Sequence, residues 1–467
     1  MRDKLTRENS LRIKLLAGCF IVCFCAVGTA LPGQAVSAAA SSDSGTSAVA
    51  QTVAITLEEA IHRAEANQPE FAAAVAQSKT SSLDRSIARN GLLPSVVYHN
   101  QALYTQANGL QNQAGQGVTS QPAPRFIANN AVREYASQGS INETLGLAGV
   151  AGLRRADAAQ VQAAAELEVS RRGLVAAVTG LFYGSLAADH KLTVAERAHL
   201  EAVEFTKLTS EREEAREAAH ADVVKAQLEE QQRERDLSDA QVNAEKARLE
   251  LGVLLFPDPR TAFTLQAADT VPPLASRQDV EQAAAKNNPE LKSALAALSV
   301  SNADVLAARA AYLPDLGLNV TYGVDAPQLA VNGPDGVHNL GYSASVTLDI
   351  PVWDWLSTEH RVKQSEIRRS ATQVALSATQ SQLIARIQEA YSEAAAARDQ
   401  LASLDASVNT AGESLRLTKL RYSGGEATVL EVVDAQSAYV AAQNAREDGR
   451  VRYETALADL QTLTGTM

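Results

Sequence analysis

A chain of 467 residues with a net charge of −12 lacks the basic surface that neutralises phosphates, which excludes a nucleic-acid binder. Aromatic residues make up only 4% of it while Ala is abundant, so thick cores built on large rings, as two or three ordinary domains would need, are excluded as well. Thin, Ala-rich helix packing fits that composition.

Residues 1–38 read as a secretory signal: Arg2, Lys4, Arg7, Arg12 and Lys14 precede an apolar run from Leu15 to Leu31, and small residues follow at Val36, Ser37 and Ala38. Removing its five basic and two acidic residues from totals of 42 and 54 leaves 37 against 52, a net charge of −15. Cys19, Cys23 and Cys25 all fall inside the signal, so the exported part has no thiol for disulfides, metal binding or nucleophilic chemistry. Leu16-Ala17-Gly18-Cys19 has the form of a lipoprotein cleavage box, but the apolar stretch lies after Cys19 instead of before it.

From there the chain is written twice, with a first repeat over 39–256, a linker over 257–276 and a second repeat over 277–467. Asn67-Gln68-Pro69-Glu70 corresponds to Asn287-Asn288-Pro289-Glu290, and Leu93-Pro94 to Leu313-Pro314, both displaced by 220 positions. Asp222-Val-Val-Lys-Ala-Gln227 corresponds to Glu431-Val-Val-Asp-Ala-Gln436 at a displacement of 209. Residues 185–251 and 356–411 contain neither Pro nor Gly and are rich in strong helix formers, which predicts rods of about 60 residues and on the order of 90 Å. Shorter helices are expected after them, over 221–255 and 429–463.

Between the helices the period changes to two. Leu316, Leu318, Val320, Tyr322 and Val324 alternate with small or polar residues, as do Tyr342, Ala344, Val346, Leu348 and Ile350. Four strands are therefore expected, near 94–104, 132–147, 314–325 and 341–351, each about the length of a tilted membrane strand. Polar loops over 106–130 and 326–339 join them in pairs. Tyr98, Tyr104, Tyr135, Tyr312, Tyr322, Tyr342, Trp353 and Trp355 lie in or beside the strands, as an aromatic girdle requires. No stretch after the signal reaches the roughly 18 uninterrupted apolar residues of a membrane helix. Four strands leave two open edges, which lipid does not tolerate, so other copies of the chain must complete the sheet.

A secreted, duplicated chain with these motifs resembles the TolC-like outer-membrane efflux protein family over nearly all of its mature length. The resemblance implies a mainly α protein with membrane β-strands, in which duplicated long-helix hairpins form a periplasmic α-barrel and four strands per protomer enter a trimeric twelve-stranded β-barrel. It implies a passive channel of a tripartite efflux or type I secretion system, located in the bacterial outer membrane and extending into the periplasm. Its partners are then two sister chains, a periplasmic adaptor (membrane fusion) protein, an inner-membrane pump and outer-membrane lipid, with no nucleic acid and no cofactor.

Within that resemblance Arg421-Tyr422-Ser423-Gly424-Gly425 is the turn at the periplasmic tip, where glycine takes left-handed angles without steric cost. Glu431 and Asp434, one helical turn apart, fall where acids form a pore constriction in similar proteins; read from position alone they are first-turn acids that favour any helix start. Tyr422 falls on a tip tyrosine that hydrogen-bonds a carboxylate of the other hairpin, and Asp222 on that carboxylate. The arginine of a second latch is replaced by Ala427. At the first tip Glu211-Arg-Glu-Glu-Ala-Arg-Glu217 stands in place of the glycine turn, with about three extra residues expected there; such a run is either a solvated helical face or a set of acid and base pairs, Arg212 and Arg216 among them, offered to an adaptor.

Enzymatic chemistry finds no foothold. Seven histidines are scattered, and G-x-S-x-G, P-loop and H-E-x-x-H patterns are missing. The rival reading from another class is a non-conducting periplasmic coiled-coil tether, which the helices accommodate and the alternating strands do not. The sequence does not identify the cargo or the particular pump and adaptor.

Overall fold

The computed structural model describes residues 53–104, 133–266, 272–326, 329–333, 336 and 338–465. The expected signal with its three cysteines and the first polar loop lie outside the described residues. The elements run in the order β1 (Val53–Ile55), α1 (Leu57–Asn67), α2 (Pro69–Asn90), β2 (Ser95–Tyr104), β3 (Arg133–Leu145), α3 (Leu147–Glu214) and α4 (His220–Leu255). There follow β4 (Phe263–Leu265), α5 (Arg277–Asn287), α6 (Pro289–Ala310), β5 (Asp315–Ala326), β6 (Leu340–Asp349), α7 (Ser357–Ser423) and α8 (Val429–Thr464).

The same series of two short helices, two strands, one long helix and one shorter helix thus occurs twice. The helices measure 11, 22, 68 and 36 residues in the first series and 11, 22, 67 and 36 in the second. At 1.5 Å per residue the long ones extend about 100 Å. The Asn-x-Pro-Glu motif has a local cause. Pro69 and Pro289 each sit in the first turn of a helix, where the missing N–H is not needed, and Asn288 Oδ1 accepts from Leu291 N at 2.8 Å. A motif asparagine also reaches the far end of each hairpin: Asn67 Nδ2 donates to Leu255 O at 2.5 Å and Asn288 Nδ2 to Leu463 O at 3.2 Å. Both carbonyls are among those a helix end leaves without an internal partner.

The long sheet has the order β2-β3-β5-β6, antiparallel throughout. One face of the second hairpin places Leu316, Leu318, Val320 and Tyr322 beside Leu348, Val346, Ala344 and Tyr342; the other places Asn319 and Thr321 beside Ser345 and Ser343. In the first hairpin the apolar face carries the rows Val96/Ile141, Tyr98/Gly139 and Asn100/Ser137. The polar members satisfy one another, Ser137 Oγ donating to Asn100 Oδ1 at 2.8 Å and lying 2.9 Å from the Tyr98 hydroxyl. That internal pairing is what an apolar solvent demands of a polar row, and it explains why the alternation is weaker there. All ten residues of β6 are exposed, and β2 and β6 each offer an unpaired edge within the described residues. Just past β6 the exposed rings of Trp353 and Trp355 meet edge to face at 5.9 Å.

The main core is small. Phe182, Tyr183 and Val178 of α3 pack with Leu251 and Leu255 of α4, with Ala60 and Ala64 of α1, and with Ile55 and Phe263 of the parallel pair β1–β4. Further clusters gather where α5 meets α7 and α8, and at the tips of the hairpins. Among the described residues no helix is long and apolar enough to cross a membrane.

Candidate functional site: the helical tips and the seam between hairpins

The second tip is a five-residue turn, 424–428. Gly425 takes φ 79°, and Glu426 N closes the helix end by donating to Arg421 O at 2.8 Å. A Cβ on Gly425 would meet nothing within 4 Å, so glycine is required here by conformation and not by space. Helix α8 then starts with a capping box: Thr428 Oγ1 accepts from Glu431 N at 3.3 Å, and Glu431 Oε1 accepts from Thr428 N at 3.3 Å. Arg421 Nη1 lies 3.4 Å from the other Glu431 oxygen.

The first tip makes the same turn without glycine. Arg216 adopts φ 64°, and Ala215, Arg216 and Glu217 repeat the hydrogen bonds of Gly424, Gly425 and Glu426. Helix α3 ends at Glu214 and α4 starts at His220, so this turn is also five residues long. The extra residues expected at this tip are therefore not there: Glu211 to Asp222 match Leu420 to Glu431 at a constant displacement of 209. His220 Nδ1 and Glu213 Oε1, 2.8 Å apart, bridge the turn.

The two tips pack against each other around Tyr422, which is buried. Its ring meets Phe205 at 5.2 Å, and its hydroxyl is 3.4 Å from Thr209 Oγ1. Arg212 places its guanidinium 4.8 Å from the centre of the Tyr422 ring and donates at 2.9 Å to both Tyr422 O and Ser423 O. Asp222, by contrast, makes no side-chain bond to Tyr422 among the described residues, so the expected tyrosine–carboxylate latch has a different set of partners here. Arg212 is turned into this junction and is not displayed outward for an adaptor.

Glu431 and Asp434 both lie on the exposed side of α8, with Val429, Val432 and Gln436 on the buried side. Spacing alone located that face. What it missed were Phe205, Thr209 and the inward role of Arg212, at i, i+4 and i+7 on one stripe of α3. Their recurrence was visible, but nothing in the sequence said that Tyr422 would be their counterpart.

Farther from the tips, α3 and α8 are tied by charge. His190 Nδ1 lies 2.9 Å from Glu447 Oε2, Lys191 Nζ 2.5 Å from Asp448 Oδ1, and Arg446 links α8 to Asp405 of α7 at 2.6 Å. The bond to Glu447 raises the His190 pKa above its ordinary value, against the effect of burial; the same bond holds the Glu447 carboxyl below its own. Tyr183 and Glu454, another α3–α8 pair, are both pushed upward chiefly by burial.

This architecture has close counterparts. The chain aligns with the Campylobacter jejuni CmeC outer membrane channel at a TM-score of 0.73 and 16% identity, covering 88% of this chain and 85% of CmeC. Residues 280–466 match the model of the outer membrane efflux protein family. That match covers two-fifths of the chain, and the described fold is the one it shares with CmeC. Among curated relatives, the chain is 27% identical to the outer membrane protein OprJ of Pseudomonas aeruginosa over 175 residues, 38% of this chain and 36% of OprJ. It is 22% identical to the alkaline protease secretion protein AprF of the same organism over 430 residues, 89% of this chain and 85% of AprF. The match to OprJ thus spans about a third of that protein, and the match to AprF most of it. The duplicated hairpins and the open four-stranded sheet are the efflux-family fold.

Proposed function

We propose that three copies of this chain form an outer-membrane channel, the passive exit conduit of an efflux or type I secretion system, with a periplasmic adaptor and an inner-membrane pump as partners. The observation that carries this reading is the sheet: four antiparallel strands with one apolar face and two bare edges, joined to helices about 100 Å long. Lipid demands that every edge be paired, and three such sheets supply twelve strands, within the range of bacterial barrels. The helices of each protomer extend the same wall into the periplasm. The matching family model is named for outer membrane efflux and AprF for alkaline protease secretion, which supports both cargo types.

At the tips, Glu431 and Asp434 from three protomers form a carboxylate ring at the narrowest part of the pore, attracting cations and repelling anions. The chain does no covalent chemistry on its cargo; energy comes from the pump. Purified protein in detergent is expected to migrate as a trimer that heating dissociates, and to conduct ions in planar bilayers. A monomeric, non-conducting product in water would instead support the coiled-coil tether.

A further inference from the structure

We propose that Arg212 is the clasp that keeps the two hairpins of one protomer together at the tip, and so sets the resting aperture; this rests on the channel reading above. The decisive geometry is its choice of partner. Arg212 stands in the last turn of α3 and donates to two carbonyl oxygens at the C-terminal end of α7, Tyr422 O and Ser423 O, both at 2.9 Å. A helix C-terminus concentrates unsatisfied carbonyls and partial negative charge, and a guanidinium fork matches two adjacent oxygens where an ammonium cannot. The Arg212 side chain is only 23% exposed, and the one carboxylate near it, on Glu217, is 3.9 Å away and 66% exposed. Its charge is therefore answered mainly by the neighbouring hairpin.

The same stripe of α3 makes further contacts with Tyr422, which also packs with Ala226, Val429 and Val432. Phe205 packs against the ring, Thr209 meets the hydroxyl, and Arg212 covers the ring face. Moving the α7–α8 hairpin outward must break these contacts together, which makes the junction two-state instead of gradually yielding. The clasp lies within one protomer, so the channel has three of them.

Two readouts test this on the full-length trimer. Paramagnetic labels on Glu214→Cys and Glu426→Cys, one on each exposed tip, are expected to give a narrow distance distribution that broadens with Arg212→Ala and less with Arg212→Lys. In planar bilayers Arg212→Ala is expected to raise low-voltage conductance several-fold, Arg212→Lys to give an intermediate rise, and Asp222→Asn to leave it unchanged. An unchanged label distribution in Arg212→Ala would overturn the clasp, as would a conductance rise in Asp222→Asn equal to that in Arg212→Ala. A broadened distribution in a trimer that never conducts would uphold the clasp and sink the channel instead. Heat-modifiable migration reports whether each variant still assembles.

Discussion

Glu431 is held on both sides, one carboxylate oxygen in the capping box with Thr428 and the other near Arg421. Asp434, on the same exposed face, has no side-chain partner among the described residues. Asp434→Ala is therefore expected to reduce cation over anion permeability more than Glu431→Ala does, measured as reversal potentials in a salt gradient. Glu431→Ala should instead cost stability, about 1 kcal/mol per chain for a lost cap interaction, read as a lower melting temperature. Much of this was visible beforehand, because a three-residue spacing after a glycine turn fixes a shared face. Arg212 was not, since its partners are backbone carbonyls and leave no trace in residue identities. The His190–Glu447 tie carries a pH signature. A raised histidine pKa means its contribution is full below the ordinary value of 6.5 and fades as pH climbs through the raised one. A lowered glutamate pKa means its contribution holds above the ordinary 4.5 and is lost as pH falls through the lowered one. Arg450 opposes the histidine's charge and Asp189 favours it, while Arg446 and Arg450 both favour the charged glutamate. The melting-temperature gap between wild type and His190→Gln is expected to be widest near pH 5.5 to 6 and to narrow by about pH 9.

At the scale of single elements, the two tips show how one turn can be built from different residues. Gly425→Ala forces a side chain into left-handed angles with no clash to relieve, so a loss of roughly 1 kcal/mol is expected in thermal unfolding. Arg216→Gly removes the same strain but loosens the unfolded chain, and the two effects should nearly cancel. Here lies the limit of reading the fold from sequence. The run without Pro or Gly over residues 185–251 is broken at 215–219, where only the repeat and the resemblance put a tip, because an arginine accepts the conformation that glycine usually takes. Elsewhere the pattern served well: the second tip and the alternating strands fell within a few residues of where it put them. Those features depend on local backbone chemistry, whereas the packing of α3 on α7 and α8 depends on partners more than 200 positions away.

Across the whole molecule, the two bare edges dictate how copies meet. Within one chain β2 and β6 are separated by β3 and β5, about 14 Å at the usual strand spacing, far beyond the reach of a disulfide. Val96→Cys on β2, scanned against single cysteines along β6, is expected to give covalent trimers and no bridge within a chain, resolved on denaturing gels. β2 and β6 run in opposite senses, so their union between neighbours continues the antiparallel order already present. A ring closed this way is only as good as its worst member. In a cell making equal amounts of sound chains and chains whose β6 cannot pair, random mixing leaves about one cylinder in eight intact. Lesions in that strand should therefore behave as genetic dominants, while those that merely abolish synthesis should stay recessive.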